Sequence, residues 1–363
     1  MKTHYHLLDG LRGVAALLVI AYHIFEGFAT SPADQLVNHG YLAVDFFFIL
    51  SGFVMGYAYD NAKLTTKSFF KRRLIRLHPM VVMGIVIGVV AFVVQGMRQW
   101  DNTPVGVLPL IGAAVMGALL LPVWPGAKID VRGNGEMFPL NGPTWSLFFE
   151  YIANIAYILC LRRLGTKSLR LLTLALGAAL LLYALFNLSG YGHIGVGWTL
   201  GGTNFIGGLL RVGFSYSAGL LLSRTYKTIK VRGAFWICTA VLWGLLCLPY
   251  MGCGDAAWTN GLFDSICVLL VFPCLIVIAA SGQTTDAATT RICNFLGDIS
   301  YPLYVVHYPF MYLFFAHVWD NGLSFAEAWP FALAAVGASI LTAWLCLKFY
   351  DRPVRKWLSK KYN

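Results

Sequence analysis

The sequence predicts an all-α polytopic membrane protein of about ten transmembrane helices, folded as a single integral-membrane domain over residues 1–363. Three observations predict it. Hydrophobic residues make up 58% of the chain and charged residues only 12%, against about 25% charged in a soluble domain. Apolar runs of roughly 20 residues recur from end to end, each long enough to cross about 30 Å of hydrocarbon at 1.5 Å per residue. The lysines and arginines gather in alternate loops, as the positive-inside rule requires.

In order, the runs lie near residues 8–28, 40–60, 78–97, 105–122, 144–161, 170–189, 204–223, 233–250, 260–281, 295–316 and 329–350. Charge decides how many cross. With the N-terminus inside, the loop 61–77 returns inside with Lys63, Lys67, Lys71, Arg72, Arg73 and Arg76. If 105–122 does not cross, the basic loops around Arg162–Arg170 and Arg224–Arg232 also fall inside, together with the tail that carries Arg352, Arg355, Lys356, Lys360 and Lys361. Every Lys and Arg except Arg98, Lys128, Arg132 and the intrahelical Arg211 is then cytoplasmic. Both termini are therefore expected in the cytoplasm. The run 105–122 becomes a re-entrant or outer-face segment inside the proline-rich stretch 98–143, with a crossing paired to a short second segment as the alternative. No polar stretch is long enough to bury a soluble core, and no soluble C-terminal domain is expected. The net charge of +11 reflects topology, and no nucleic-acid partner is inferred; membrane lipids are the surroundings. The first run is broken by Arg12 and is not followed by a clean small-x-small site, so it does not read as a cleaved signal peptide. The eight cysteines form no C-x-x-C pair and suggest packing; no metal site is inferred. Gly84 and Gly88, four residues apart, suggest close helix contact.

The first run, LLDGLRGVAALLVIAYHIFEGF, carries Asp9, Arg12, His23 and Glu26. Charged side chains inside lipid are expensive and are often functional. Arg12 and His23 are eleven residues apart, which places both on one helix face, about 16 Å apart along the axis. Counting inward from the expected boundaries puts His23, Asp45, Glu150 and His307 at about 18–22 Å from the inner face, one layer in the outer half of a slab about 30 Å thick. Arg12, Arg72, Arg73 and Arg76 form a second, cationic layer at the inner face. The arrangement suits an anionic cosubstrate held inside by arginine forks and proton chemistry deeper in, where a carboxylate orients a histidine base. Structural roles compete at several positions. The three arginines of 72–76 also suit topological anchors, His307 a packing histidine, and Asp45 a local pair. Glu26, His193 and His317 are expected near the outer surface, in water.

The motifs quoted next carry a resemblance. LDGLRGVAALLVIAYH holds Arg12 and His23 in an Arg-x10-His spacing. GYLAVDFFFILSGFV holds Asp45, Phe47, Ser51 and Gly52. FFKRRLIRLHP holds Arg73 and Arg76, PTWSLFFEYIANIAY holds Trp145, Ser146 and Glu150, and LGDISYPLYVVHYP holds Tyr301 and His307. Five ordered segments over residues 8–309 resemble acyltransferase family 3, the bacterial integral-membrane O-acyltransferases that modify surface polysaccharides. The resemblance implies transfer of an acyl group, usually acetyl, from cytoplasmic acyl-CoA to a hydroxyl of a cell-envelope glycan or lipid-linked sugar. It implies an inner-membrane location in a bacterium, acyl-CoA as cosubstrate with no tightly bound cofactor, and either direct transfer or hand-over to a separate extracytoplasmic acyl-transfer protein. His23 is then the expected base or acyl carrier, with Glu150 or Asp45 orienting it. Arg12, Arg72, Arg73 and Arg76 are expected to bind acyl-CoA. Ser51, Trp145, Ser146, Tyr301 and His307 are expected to contact substrate or oxyanion. The residues by themselves also leave open a proton-coupled transporter of a glycan or lipid, and a non-catalytic membrane scaffold.

Overall fold

The structure, a computed structural model, describes residues 5–29, 35–284 and 286–362. Among these residues helices carry the fold and no β-strand is present. The chain order is α1 (His6–Glu26), a 3-10 turn (Gly40–Leu42) leading into α2 (Ala43–Tyr59), α3 (Thr66–Val94), α4 (Val107–Ala118), α5 (Thr144–Leu159), α6 (Thr166–Leu185), α7 (Gly202–Thr225) and α8 (Ala234–Leu246). It continues with α9 (Trp258–Ile266) and α10 (Phe272–Ser281), joined by one π turn, then α11 (Ala287–Asn321), α12 (Phe325–Cys346) and α13 (Arg352–Tyr362).

Among the described residues, eight helical stretches are long and apolar enough to cross a membrane: α1, the α2 stretch, α3, the α5 stretch, α6, α7, the α9–α10 unit and the α12–α13 unit. Two of the ten expected spans differ. The run 295–316 lies within α11, whose 35 residues extend about 52 Å at 1.5 Å per residue; its apolar character is diluted by Asp298, Tyr301, Pro302 and His307. The run 233–250 becomes α8, a helix of 13 residues, or about 20 Å. It stops at Leu246, three residues before Pro249, because a residue preceding proline is pushed out of the helical region. The freed Leu246 carbonyl accepts from the His39 backbone N–H at 3.0 Å. α4 has 12 residues, about 18 Å, too few to cross. It packs on the C-terminal half of α3 and on residues 131–140, through Ile85, Phe92, Leu110, Ala113, Val131 and Leu140, and leaves Leu108, Ile111 and Val115 exposed.

Two tight helix pairs hold the site. α1 lies against α11 at Gly13, where an added Cβ would stand 2.5 Å from the Leu296 carbonyl oxygen. α2 lies against α7 at Gly52 and Gly219, where a Cβ would come within 2.0 Å of the Tyr216 oxygen and 1.9 Å of the Ile49 oxygen. Such backbone proximity is what small residues allow between membrane helices. Gly84 likewise packs on Val305 and Asn141, and Gly88 on Leu140. α11 contains Pro302 and Pro309. Pro309 has no N–H for the carbonyl four residues back, and that carbonyl, of Val305, instead accepts from Asn141 Nδ2 at 2.7 Å. The proline thereby ties α11 to the segment that leads into α5.

Candidate functional site

Three cavities follow one another between α1, α2, α3, α5 and α11. The inner one, about 570 Å³, is walled by Arg12, Lys71, Arg72, Arg73, Arg76 and Arg355, with Asp9 as the facing carboxylate. The middle one, about 160 Å³, shares Arg12, Arg73 and Arg76 with it and adds Ser51, Ser146, Glu150, Ser300, Tyr301 and Tyr304. The outer one, about 270 Å³, is lined by His23, Glu26, Glu136 and Arg211 among aromatic walls that include Tyr22, Tyr41, Trp145, Trp198 and Tyr308. Arg12 and His23 sit on one face of α1, and that face joins the first cavity to the last.

The inner arginines divide by their partners. Arg12 donates from Nε to Ser300 Oγ (2.7 Å) and from a terminal nitrogen to the Gly297 carbonyl (2.8 Å), and it pairs with Asp9 at 3.1 Å. Arg73 is held by Glu150 at 2.7 Å. Arg72 and Arg76 are exposed to the inner cavity and make no ion pair or hydrogen bond among the described residues. They are the guanidinium groups left open to an incoming anion.

In the outer chamber the histidine has the partner that proton chemistry requires. His23 Nδ1 lies 2.6 Å from Glu26 Oε2. A carboxylate only accepts, so Nδ1 carries the proton and Nε2 is left with its lone pair. His307 stacks beside His23 with centroids 5.6 Å apart, and Tyr308 meets it edge-on at 4.6 Å. His307 Nδ1 donates to the Tyr304 carbonyl at 2.8 Å and approaches that of Leu303 at 3.2 Å; its buried Nε2 has no hydrogen-bond partner among the described residues. Above them, in the segment that follows α4, Glu136 accepts a short hydrogen bond from the Tyr312 hydroxyl. Burial there pushes its carboxyl up to about 7. Arg132 is clamped beside it, its guanidinium 3.5 Å from the Tyr312 ring centre and its Nε donating to the Pro139 carbonyl at 2.9 Å.

Several sequence expectations are corrected by this geometry. The carboxylate on His23 is Glu26, one helical turn away, whose side chain is 38% exposed and at the same time hydrogen-bonded to the imidazole. Glu150 is committed to Arg73 and to the Ser51 hydroxyl, which donates to it at 2.9 Å. Asp45 is fully buried in a bidentate pair with Arg211, whose Nε and terminal nitrogen lie 3.1 and 2.6 Å from its two oxygens. Arg211 also donates to the Val196 carbonyl at 2.6 Å and the Tyr41 carbonyl at 3.0 Å, and it stands over the Trp145 ring. The Asp45–Arg211 pair fastens α2 and α7 to the outer segment; it does not orient the base. Ser51 and Tyr301, expected as oxyanion donors, spend their hydroxyl hydrogens on Glu150 and on the Leu77 carbonyl (2.6 Å). Ser146 donates to the Pro143 carbonyl at 2.9 Å. Trp145 does line the outer chamber. His193, expected in water, packs against Tyr41 and Tyr191 in the loop before α7, and burial holds its imidazole down, to about 4.

The chain matches the acyltransferase domain family over residues 5–348. It is 25% identical to Acyltransferase MdmB of Streptomyces mycarofaciens over 98% of this chain and 92% of that protein. It is 36% identical to Protein 2 in picA locus of Rhizobium radiobacter, over 49% of this chain and 93% of that protein. A third relative, the Putative peptidoglycan O-acetyltransferase YrhL of Bacillus subtilis, is 37% identical over 25% of this chain and 15% of its own length. No solved structure matches.

Proposed function

Because this chain belongs to acyltransferase family 3, we propose that it moves an acyl group, acetyl in the first instance, from cytoplasmic acyl-CoA to a hydroxyl of a cell-envelope glycan or lipid-linked sugar. The observation that carries this reading is the His23–Glu26 pair, facing a chamber that the middle cavity separates from an arginine-walled vestibule.

The phosphates of acyl-CoA dock on Arg72 and Arg76, with Lys71 and Arg355 alongside. A planar guanidinium offers paired donors that match phosphate oxygens. The pantetheine arm runs up the middle cavity and brings the thioester toward His23. The acceptor enters the outer chamber, where aromatic faces and the Glu136 carboxyl receive a hydroxylated ring. His23 Nε2 takes the proton of the acceptor hydroxyl; the hydroxyl oxygen bonds to the acyl carbon; the carbon–sulfur bond breaks; and the proton passes from His23 to the CoA sulfur. In the two-step form, His23 Nε2 carries the acyl group between donor and acceptor. Glu26 fixes the tautomer and stabilises the imidazolium, as a carboxylate hydrogen-bonded to Nδ1 does for a histidine base. Arg12 and Arg73 position the route, since their guanidiniums are tied to α11 and α5.

The reading is tested in proteoliposomes with radiolabelled acetyl-CoA and envelope glycans from a native host. Label on glycan, free CoA release, and loss of both in His23→Ala are the expected outcome. Full transfer by an inserted His23→Ala protein contradicts it. Label held on the protein in wild type but not in His23→Ala identifies the two-step form.

A further inference from the structure

The middle cavity and the outer chamber are separate spaces, and the residues common to their walls are Val44 and Tyr304. Tyr304 is 7% exposed. Its hydroxyl lies 2.7 Å from Ser146 Oγ and 3.4 Å from the Pro143 carbonyl, and its ring meets Phe47 edge-on at 5.3 Å. The Ser146 hydrogen is already donated to Pro143, so the Tyr304 hydroxyl donates to Ser146. This bond straps α11 to the first turn of α5, across the line from the arginine vestibule to His23. The Tyr304 carbonyl in turn holds His307 Nδ1, and His307 stacks on His23. The constriction and the base are therefore fixed by the same turn of α11.

We propose that Tyr304 is a specificity-determining residue: the gap that it closes with Ser146 admits short acyl groups to His23 and holds back longer ones. This inference rests on the acyl-CoA reading above. A neutral hydroxyl–hydroxyl bond is weak enough to open and reclose as each thioester passes. The ring itself remains, held by Phe47 and by the backbone bond to His307, and it sets the width. One methylene more or less against an apolar wall typically changes discrimination by about 10–200-fold, so the Tyr304 ring, which with Val44 forms the wall that the two spaces share, is enough to select acyl length.

The test compares acetyl-CoA, butyryl-CoA and hexanoyl-CoA as donors to the full-length protein in proteoliposomes, for wild type, Tyr304→Ala, Tyr304→Phe and Val44→Ala. The expected result is a rise of at least about 10-fold in the butyryl-to-acetyl ratio of kcat/KM for Tyr304→Ala. Val44→Ala, which widens the gap from its other side, shifts the ratio in the same direction, and Tyr304→Phe, which loses only the strap, shifts it less. CoA affinity measured by equilibrium binding stays at the wild-type value. A ratio unchanged in Val44→Ala and in whichever Tyr304 variant turns over acetyl-CoA overturns this inference alone. Failure of wild type to use any of the three donors overturns the donor reading, and this inference with it.

Discussion

The two ends of the path are built on opposite principles. At the inner end, six cationic side chains face one carboxylate across a wide cavity, and Arg72 and Arg76 have no partner among the described residues. At the outer end each charged group has a partner: His23 has Glu26, Asp45 has Arg211, and Glu136 has the Tyr312 hydroxyl. The walls there are aromatic. An excess of unpaired positive charge beside water is what holds an anionic ligand reversibly. A chamber whose charged groups are each held by a fixed partner is what directs a proton without reorganisation at the moment of reaction. The difference separates binding from chemistry along one helix, α1, which contributes Arg12 to the first region and His23 to the second.

The comparison is broken most severely by removing a group from the paired end. Arg211→Ala leaves Asp45 as an uncompensated buried charge, and losses of about 3–5 kcal/mol are usual for such a change. We expect the variant to insert but to unfold in detergent at markedly lower temperature, as followed by a thermal-shift assay. An unchanged midpoint contradicts the strap role. His23→Ala should lower acyl transfer by about 10²–10⁴-fold, the usual share of general base catalysis, with an unaltered melting temperature. Glu26→Gln keeps the shape but weakens the tautomer lock. Its transfer rate should fall by a smaller factor, on the order of 10–100-fold, with no change in acyl-CoA affinity.

At the unpaired end the effects are smaller and sensitive to salt. Arg72→Ala and Arg76→Ala should each raise the KM for acyl-CoA several-fold and leave kcat nearly unchanged. The penalty should shrink as ionic strength rises, since exposed charges are screened. A salt-independent loss would place these arginines in the chemistry instead. Glu136 sharpens the comparison through pH. Its folded carboxyl titrates near 7, above the ordinary value of 4.5, because it is buried. The folded state therefore holds a proton that the unfolded chain has released, and stability falls as pH rises from about 4.5 to 7 and is level above it. Glu136→Gln should remove that slope from a series of melting curves.

Much of this was readable in the sequence. The eleven-residue interval from Arg12 to His23 and the shortness of α4 follow from periodicity and charge, whereas the basic stretch expected as the loop 61–77 is helical from Thr66, so that Lys67, Lys71, Arg72, Arg73 and Arg76 stand on the first turns of α3. The partners of the ionisable groups do not follow from either. Asp45 and Arg211 are 166 residues apart and Glu150 and Arg73 are 77 apart, so no local pattern joins them. Arg211 inside an apolar run was itself the signal that a carboxylate must lie nearby. Glu26 was within reach, since a residue three positions on shares a helix face with His23. Depth counted from the end of the apolar run puts it in water, and its side chain is indeed 38% exposed, but depth alone does not show that it also holds His23. The run 233–250 is shortened to the 13 residues of α8, because apolar length alone does not register the break that Pro249 imposes.

The most direct test is a kcat and KM matrix for acetyl-CoA-dependent transfer, measured on wild type, His23→Ala, Glu26→Gln, Arg72→Ala and Arg76→Ala in one proteoliposome preparation. The account predicts that the two outer variants lose kcat at constant KM and the two inner variants raise KM at constant kcat. Transfer that survives in His23→Ala, or inner and outer variants with the same kinetic signature, would contradict it.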